Sequence, residues 1–119
     1  MHIHCKRAYE AASPADGQRF LVDRLWPRGV SREALRATWL KEVAPSTTLR
    51  QWFDHTAERW EEFQQRYWQE LAATPQQLKP LRDALDAGPI TLVYGARDTH
   101  YNQAVALRAY LLAHPRHSH

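Results

Sequence analysis

The strongest constraint on how this chain folds is the separation of two short apolar runs. Phe20-Leu21-Val22 and Ile90-Thr91-Leu92-Val93-Tyr94 are each continuous enough to be strands covered on both faces. Residues 23–89 between them carry helix signals almost throughout. Strands joined through a helical crossover pair parallel, because no hairpin can connect them, and the crossover helices pack on the sheet. A third strand is expected at Ile3 to Tyr9, with the Ser13-Pro14-Ala15-Asp16-Gly17 turn cluster between it and the second. The fold class is therefore α/β, with a short, mainly parallel sheet flanked by helices.

The helices are placed by their start signals. Ser31 caps a helix from Arg32 to about Ala37, and Thr48-x-x-Gln51 has capping-box spacing for a helix over Leu49 to Phe53. Thr56 opens the longest helix, in which Trp60, Phe63, Tyr67 and Leu71 form one aromatic and apolar stripe. Thr74-Pro75-Gln76-Gln77 opens another, Pro80 kinks it or delays its start, and Gly88 ends it. Asp98 or Thr99 caps the last helix, with Ala104, Leu107 and Leu111 facing inward. Residues 1–113 read as one domain and the His-rich residues 114–119 as a loose tail.

Composition excludes several function classes. No apolar run approaches the roughly 20 residues that span a bilayer, and the N-terminus has no secretory apolar segment. A lone Cys5 cannot form an internal disulfide and suits a reducing compartment, so a cytoplasmic protein is expected. The net charge of +3 permits an anionic partner without requiring one, since the cations are interleaved with acids rather than clustered. No phosphate-binding or dinucleotide glycine loop, zinc signature, Cys-x-x-Cys pair or nucleophile elbow occurs, so no cofactor or metal is expected. His2, His4, His114, His117 and His119 lack a carboxylate or thiolate to complete a metal set. His55 and His100 are the better acid–base candidates among the histidines.

In open α/β sheets ligands bind beyond the carboxyl ends of the strands. Both apolar strands end in charged pairs there: Asp23-Arg24 after the first, and Arg97-Asp98 shortly after the second. Arg28, in Trp26-Pro27-Arg28-Gly29, adds a further cation, and Asn102 lies at the entry to the last helix. A purely structural ion-pair network would close the same edge, but three arginines around one Asp pair leave cations over. The expectation is a site for a small anionic ligand, phosphorylated or nucleotide-like. In it Asp23 and Asp98 act as base or hydroxyl-binding carboxylates, Arg24, Arg28, Arg97 and Lys41 hold the anion, and Asn102 orients it. Asp23 and Asp98 should lie at the same end of the sheet with an arginine between them. Nucleic-acid binding is the alternative, motivated by basic charge beside Trp residues.

A set of ordered motifs carries a family resemblance. Asp23-Arg24-Leu25-Trp26-Pro27-Arg28-Gly29, Trp39-Leu40-Lys41, Ala44-Pro45-Ser46, Leu49-Arg50-x-Trp52-Phe53-x-His55, Tyr94-x-Ala96-Arg97-Asp98 and Asn102 together resemble the YeaO-like branch of DUF488. The resemblance spans nearly the whole chain. It implies a small Rossmann-like three-layer domain of bacterial or archaeal cytoplasm and supplies no established activity. Members of the wider family are similar in having Cys-x-Glu and Cys-His-Arg stretches after the last strand. Here Tyr94 to Gln103 contains neither, so no thiol or Glu mechanism carries over. This implies a further alternative, an inactive regulatory or scaffold member that keeps binding.

Overall fold

A computed structural model describes residues 2–116. Four strands, β1 (Ile3–Arg7), β2 (Gln18–Leu21), β3 (Thr38–Trp39) and β4 (Ile90–Tyr94), form one sheet in the order β1-β4-β2-β3. Every neighbouring pair is parallel, with Phe20 opposite Leu92 and Cys5 also opposite Leu92 on the other side. The fold is thus the α/β, Rossmann-like arrangement expected. β4 is central and fully buried, as its unbroken apolar character requires. The two-residue β3 was not legible, because Thr38-Trp39 is too short to show a period.

Successive side chains of β4 feed two cores. Ile90, Leu92 and Tyr94 join the larger one, built with helices α2 (Thr47–Phe53), α3 (Trp60–Ala73), α4 (Lys79–Ala87) and α5 (Gln103–Ala113). Val93 points the other way, to Ala8, Leu21 and Leu35 under the single-turn helix α1 (Arg32–Leu35), where Trp26 and Trp39 meet edge to face. The aromatic stripe of α3 does what its spacing predicts: Phe63, Tyr67 and Leu71 are buried, and Trp60 packs half-buried beside them. On α5, Ala104, Leu107 and Leu111 are fully buried.

Several caps fall elsewhere than expected. Ser46, not Thr48, caps α2: its hydroxyl accepts from the Leu49 amide and donates to Glu70. Asn102, not Asp98 or Thr99, caps α5 by accepting from Val105. Thr56 turns its hydroxyl to the Asp54 carbonyl, and a 3-10 turn, Ala57–Arg59, precedes α3. Pro80 delays α4 behind a second 3-10 turn, Pro75–Leu78, rather than kinking it. Of the tail, the structure describes His114 to Arg116. His114 stacks on Tyr110 at 4.3 Å, and Arg116 pairs with Asp83 and Asp86 on α4. Residues 117–119 lie outside the described part.

Candidate functional site

The carboxyl ends of β2 and β4 open into a cavity of about 290 Å³. Its wall comes from the loop after β2, the loop after β4, the Ala44-Pro45 segment, the end of α2 and the start of α5. Asp23 is the one carboxylate in its wall among the described residues. One carboxylate oxygen, Oδ2, accepts the Gly95 amide at 2.8 Å, and the other, Oδ1, accepts the Gln103 side-chain amide. The Trp39 indole donates to the Asp23 carbonyl at 2.7 Å, so the edge strand β3 fixes the backbone that carries the acid. Burial pushes the Asp23 carboxyl from 3.8 up to about 6, against the opposing pull of the Gly95 amide, the Arg50 charge and Gln103. A Cβ on Gly95 would stand 2.9 Å from Asp23 Oδ2, so a side chain there would push the carboxylate from its place.

Three arginines share this wall with that one carboxylate. Arg24 is anchored by hydrogen bonds to the Ala44 and Pro45 carbonyls, both at 3.2 Å. Arg28 and Arg50 are exposed, and neither is ion-paired among the described residues. His55 also lines the cavity. It follows Asp54 through two successive left-handed residues, with φ of 46° and 53°. That strained corner turns the chain out of α2 and sets the imidazole at the wall.

The structure does not bring all the expected site residues together. Asp98, Arg97 and Lys41 lie outside the cavity wall. Asp98 follows β4 and so emerges at the same end of the sheet as Asp23, but no arginine pairs with either acid among the described residues. It closes its own loop instead, accepting the Tyr101 and His100 amides at 2.9 and 2.8 Å, which hold its carboxyl below the usual range. Arg97 is exposed, and Lys41 sits over the Trp39 ring at 5.6 Å. Asn102 does line the cavity, but its oxygen accepts from Val105 and its amide donates to the Asp98 carbonyl. It shapes the wall rather than offering free donors.

Arg50 and Gln103 were missed as site residues. Each lies in or beside a stretch that carried the family resemblance, yet nothing in local periodicity aims either side chain at Asp23. The comparison with known proteins now decides the kinship. Residues 2–119 match the family described as "Inactive DUF488-N3 subclade". The chain belongs to the DUF488 family. It is similar to the "Uncharacterized protein YeaO" of Escherichia coli (strain K12), 43% identical over 112 residues, 93% of this chain and 97% of that one. It is also similar to the "Uncharacterized protein Rv3073c" of Mycobacterium tuberculosis (strain ATCC 25618 / H37Rv), 42% identical over 92 residues, 75% of this chain and 78% of that one. No solved structure matches the chain. No helix among the described residues of this DUF488 protein is long and apolar enough to cross a membrane. Its cavity wall contains no Cys, Ser, Thr or Lys among the described residues, and beside the arginines its ionisable side chains are Asp23, His55, Tyr9 and Tyr101.

Proposed function

We propose that the cavity at the carboxyl edge of β2 and β4 binds a small anionic ligand, phosphorylated or nucleotide-like, as a recognition site rather than a centre of covalent catalysis. The observation that carries this is the imbalance of the wall, three guanidiniums against one half-buried carboxylate that readily takes up a proton. Guanidiniums match phosphate and carboxylate oxygens in bidentate geometry, which a single ammonium does not. The first turn of α5 borders the same space through Asn102 and Gln103, and a helix N-terminus adds partial positive charge there.

The rim supports a ligand with an apolar or planar portion. Tyr9, Leu25 and Tyr101 are three of the four large apolar side chains left exposed among the described residues, and all three edge this cavity. The name of the matching subclade, with its word "Inactive", agrees with binding in the absence of turnover. Asp23 supports a second, enzymatic reading, because a carboxyl at about 6 exchanges protons near neutrality. That reading requires a turnover that disappears in Asp23→Asn.

The experiment is a thermal-shift panel of nucleotides and sugar phosphates. A true ligand at a hundred times its Kd adds about 2.7 kcal/mol to stability, and Arg50→Ala should erase that gain without unfolding the protein. A panel in which no phosphorylated compound responds, or one in which Arg50→Ala and Arg28→Ala respond like the native chain, rejects the proposal.

A further inference from the structure

A second cationic groove lies at the opposite end of β2. Gly17, Gln18, Arg19 and Phe20 from the start of that strand, Arg32 and Arg36 from α1 and its C-cap, and Ala37-Thr38 leading into β3 enclose about 430 Å³ open to solvent. Among the described residues its wall holds three arginines and no carboxylate.

Arg19 distinguishes this groove from an ordinary basic surface. It is only 6% exposed and is held on two sides. Its Nε donates to the Leu35 carbonyl at 2.9 Å, and its Nη1 pairs with Asp16 at 2.6 Å. Its Nη2 is buried with no hydrogen-bond partner among the described residues. Buried donors on charged groups are nearly always satisfied, so an orphan of this kind points to a further partner. Asp16 cannot neutralise it fully, because the same carboxylate also receives Lys6 at 3.2 Å, leaving two cations on one acid. On the same wall, Arg32 and Arg36 are exposed and form no ion pair among the described residues. Arg32 leans over the Trp26 ring at 5.8 Å, and Arg36 makes one long bond, 3.3 Å, to the Glu33 carbonyl. The Glu33 carboxylate, on the same short helix, is outside the wall.

We infer that this groove is an anion site distinct from the cavity at Asp23, taking a phosphate group, free or carried on a small molecule. Arg32 and Arg36 grip the phosphate oxygens at the mouth. The Arg19 charge attracts it from the wall of the groove. The left-handed Gly17, with φ of 64°, forms part of the floor, where a side chain would run into the Pro89 carbonyl. The inference does not depend on the cavity at Asp23, and the two sites can be read separately.

The test is a ¹⁵N–¹H NMR titration of the full chain with inorganic phosphate at constant ionic strength, with methyl phosphate and acetate as further arms. Saturable shifts are expected at the Gly17, Gln18 and Thr38 amides and at the Arg19 side chain, with either phosphate compound. Removing charge by Arg32→Gln and Arg36→Gln, at exposed positions that leave the fold intact, should weaken binding about tenfold per arginine. Arg50→Ala should leave these shifts unchanged, which separates this site from the other. If methyl phosphate matches inorganic phosphate, the site accepts esters, and if only inorganic phosphate binds, it takes the free ion; each supports the inference. Acetate binding as tightly as phosphate, absence of saturable shifts at these residues, or shifts indifferent to the double substitution would each overturn it.

Discussion

Replacing Asp23 with asparagine tests the electrostatics of the cavity directly. Burial raises the folded-state pKa from 3.8 to about 6, although the Gly95 amide, Arg50 and Gln103 pull the other way. A carboxyl whose pKa rises on folding binds its proton more tightly in the folded state. Its contribution to stability is therefore complete below the unfolded value and is lost as the pH climbs through about 6. A shift of about 2 units at 1.36 kcal/mol each makes the ionised acid cost the fold about 3 kcal/mol. Asparagine has nearly the same shape and never ionises. Its oxygen can accept the Gly95 amide, and its amide can donate to Gln103 after the Gln103 side chain turns over. Asp23→Asn should thus match the native protein near about pH 4 and exceed it by up to about 3 kcal/mol near about pH 8. Urea unfolding of both proteins across that range, at fixed salt, measures the difference. A difference that stays flat with pH, or a variant that grows less stable than native above pH 6, would refute the reasoning, because the carboxylate would then be stabilised in its charged form.

Three further outcomes follow from other parts of the structure. Sulfate, whose charge is constant over this range, should bind the cavity severalfold more tightly as the pH falls through about 6, and isothermal titration should show that dependence reduced in Asp23→Asn. Gly17→Ala places a Cβ 2.0 Å from the Pro89 oxygen, whereas the same change at Gly29, also at positive φ, meets open space. Gly29→Ala should cost only the roughly 1–3 kcal/mol of backbone strain, and Gly17→Ala should exceed that clearly in denaturant melts or fail to fold. Ser46→Ala removes the α2 cap and the hydroxyl bound to Glu70, so thermal unfolding should show a loss of about 1–2 kcal/mol.

The parts of this fold that could be read from the sequence are those set by one-dimensional pattern. Phe20-Leu21-Val22 and Ile90 to Tyr94 are strands because long apolar runs need cover on both faces, and their parallel pairing follows from the length of chain between them. The stripe of Phe63, Tyr67 and Leu71 follows from helical period alone. Caps were harder, because Ser, Thr, Asp and Asn compete over a few positions and tertiary contact chooses among them. Glu70 of α3 favours Ser46, and the loop closed by Asp98 pushes the start of α5 on to Asn102. The same loop keeps Asp98 and Arg97 out of the cavity wall. Asp98 and Arg97 sit at the expected edge, yet the turn from β4 to α5 spends the acid on local amides and leaves the arginine in solvent. Arg50 reaches the cavity from α2, far from either strand end, and no spacing rule links it to Asp23.

The central claim is that Arg24, Arg28 and Arg50 around Asp23 form a binding site for a phosphorylated ligand. The most direct test is a ¹⁵N–¹H NMR titration of the whole chain with a nucleoside monophosphate, following the Gly95 amide, the Gln103 side-chain amide and the Arg50 side chain. The predicted result is a set of saturable shifts at these three groups, abolished together by Arg50→Ala while the rest of the spectrum is preserved. Shifts confined to other surfaces, such as the groove at Gly17 and Thr38, with Gly95 and Gln103 unmoved, would contradict it.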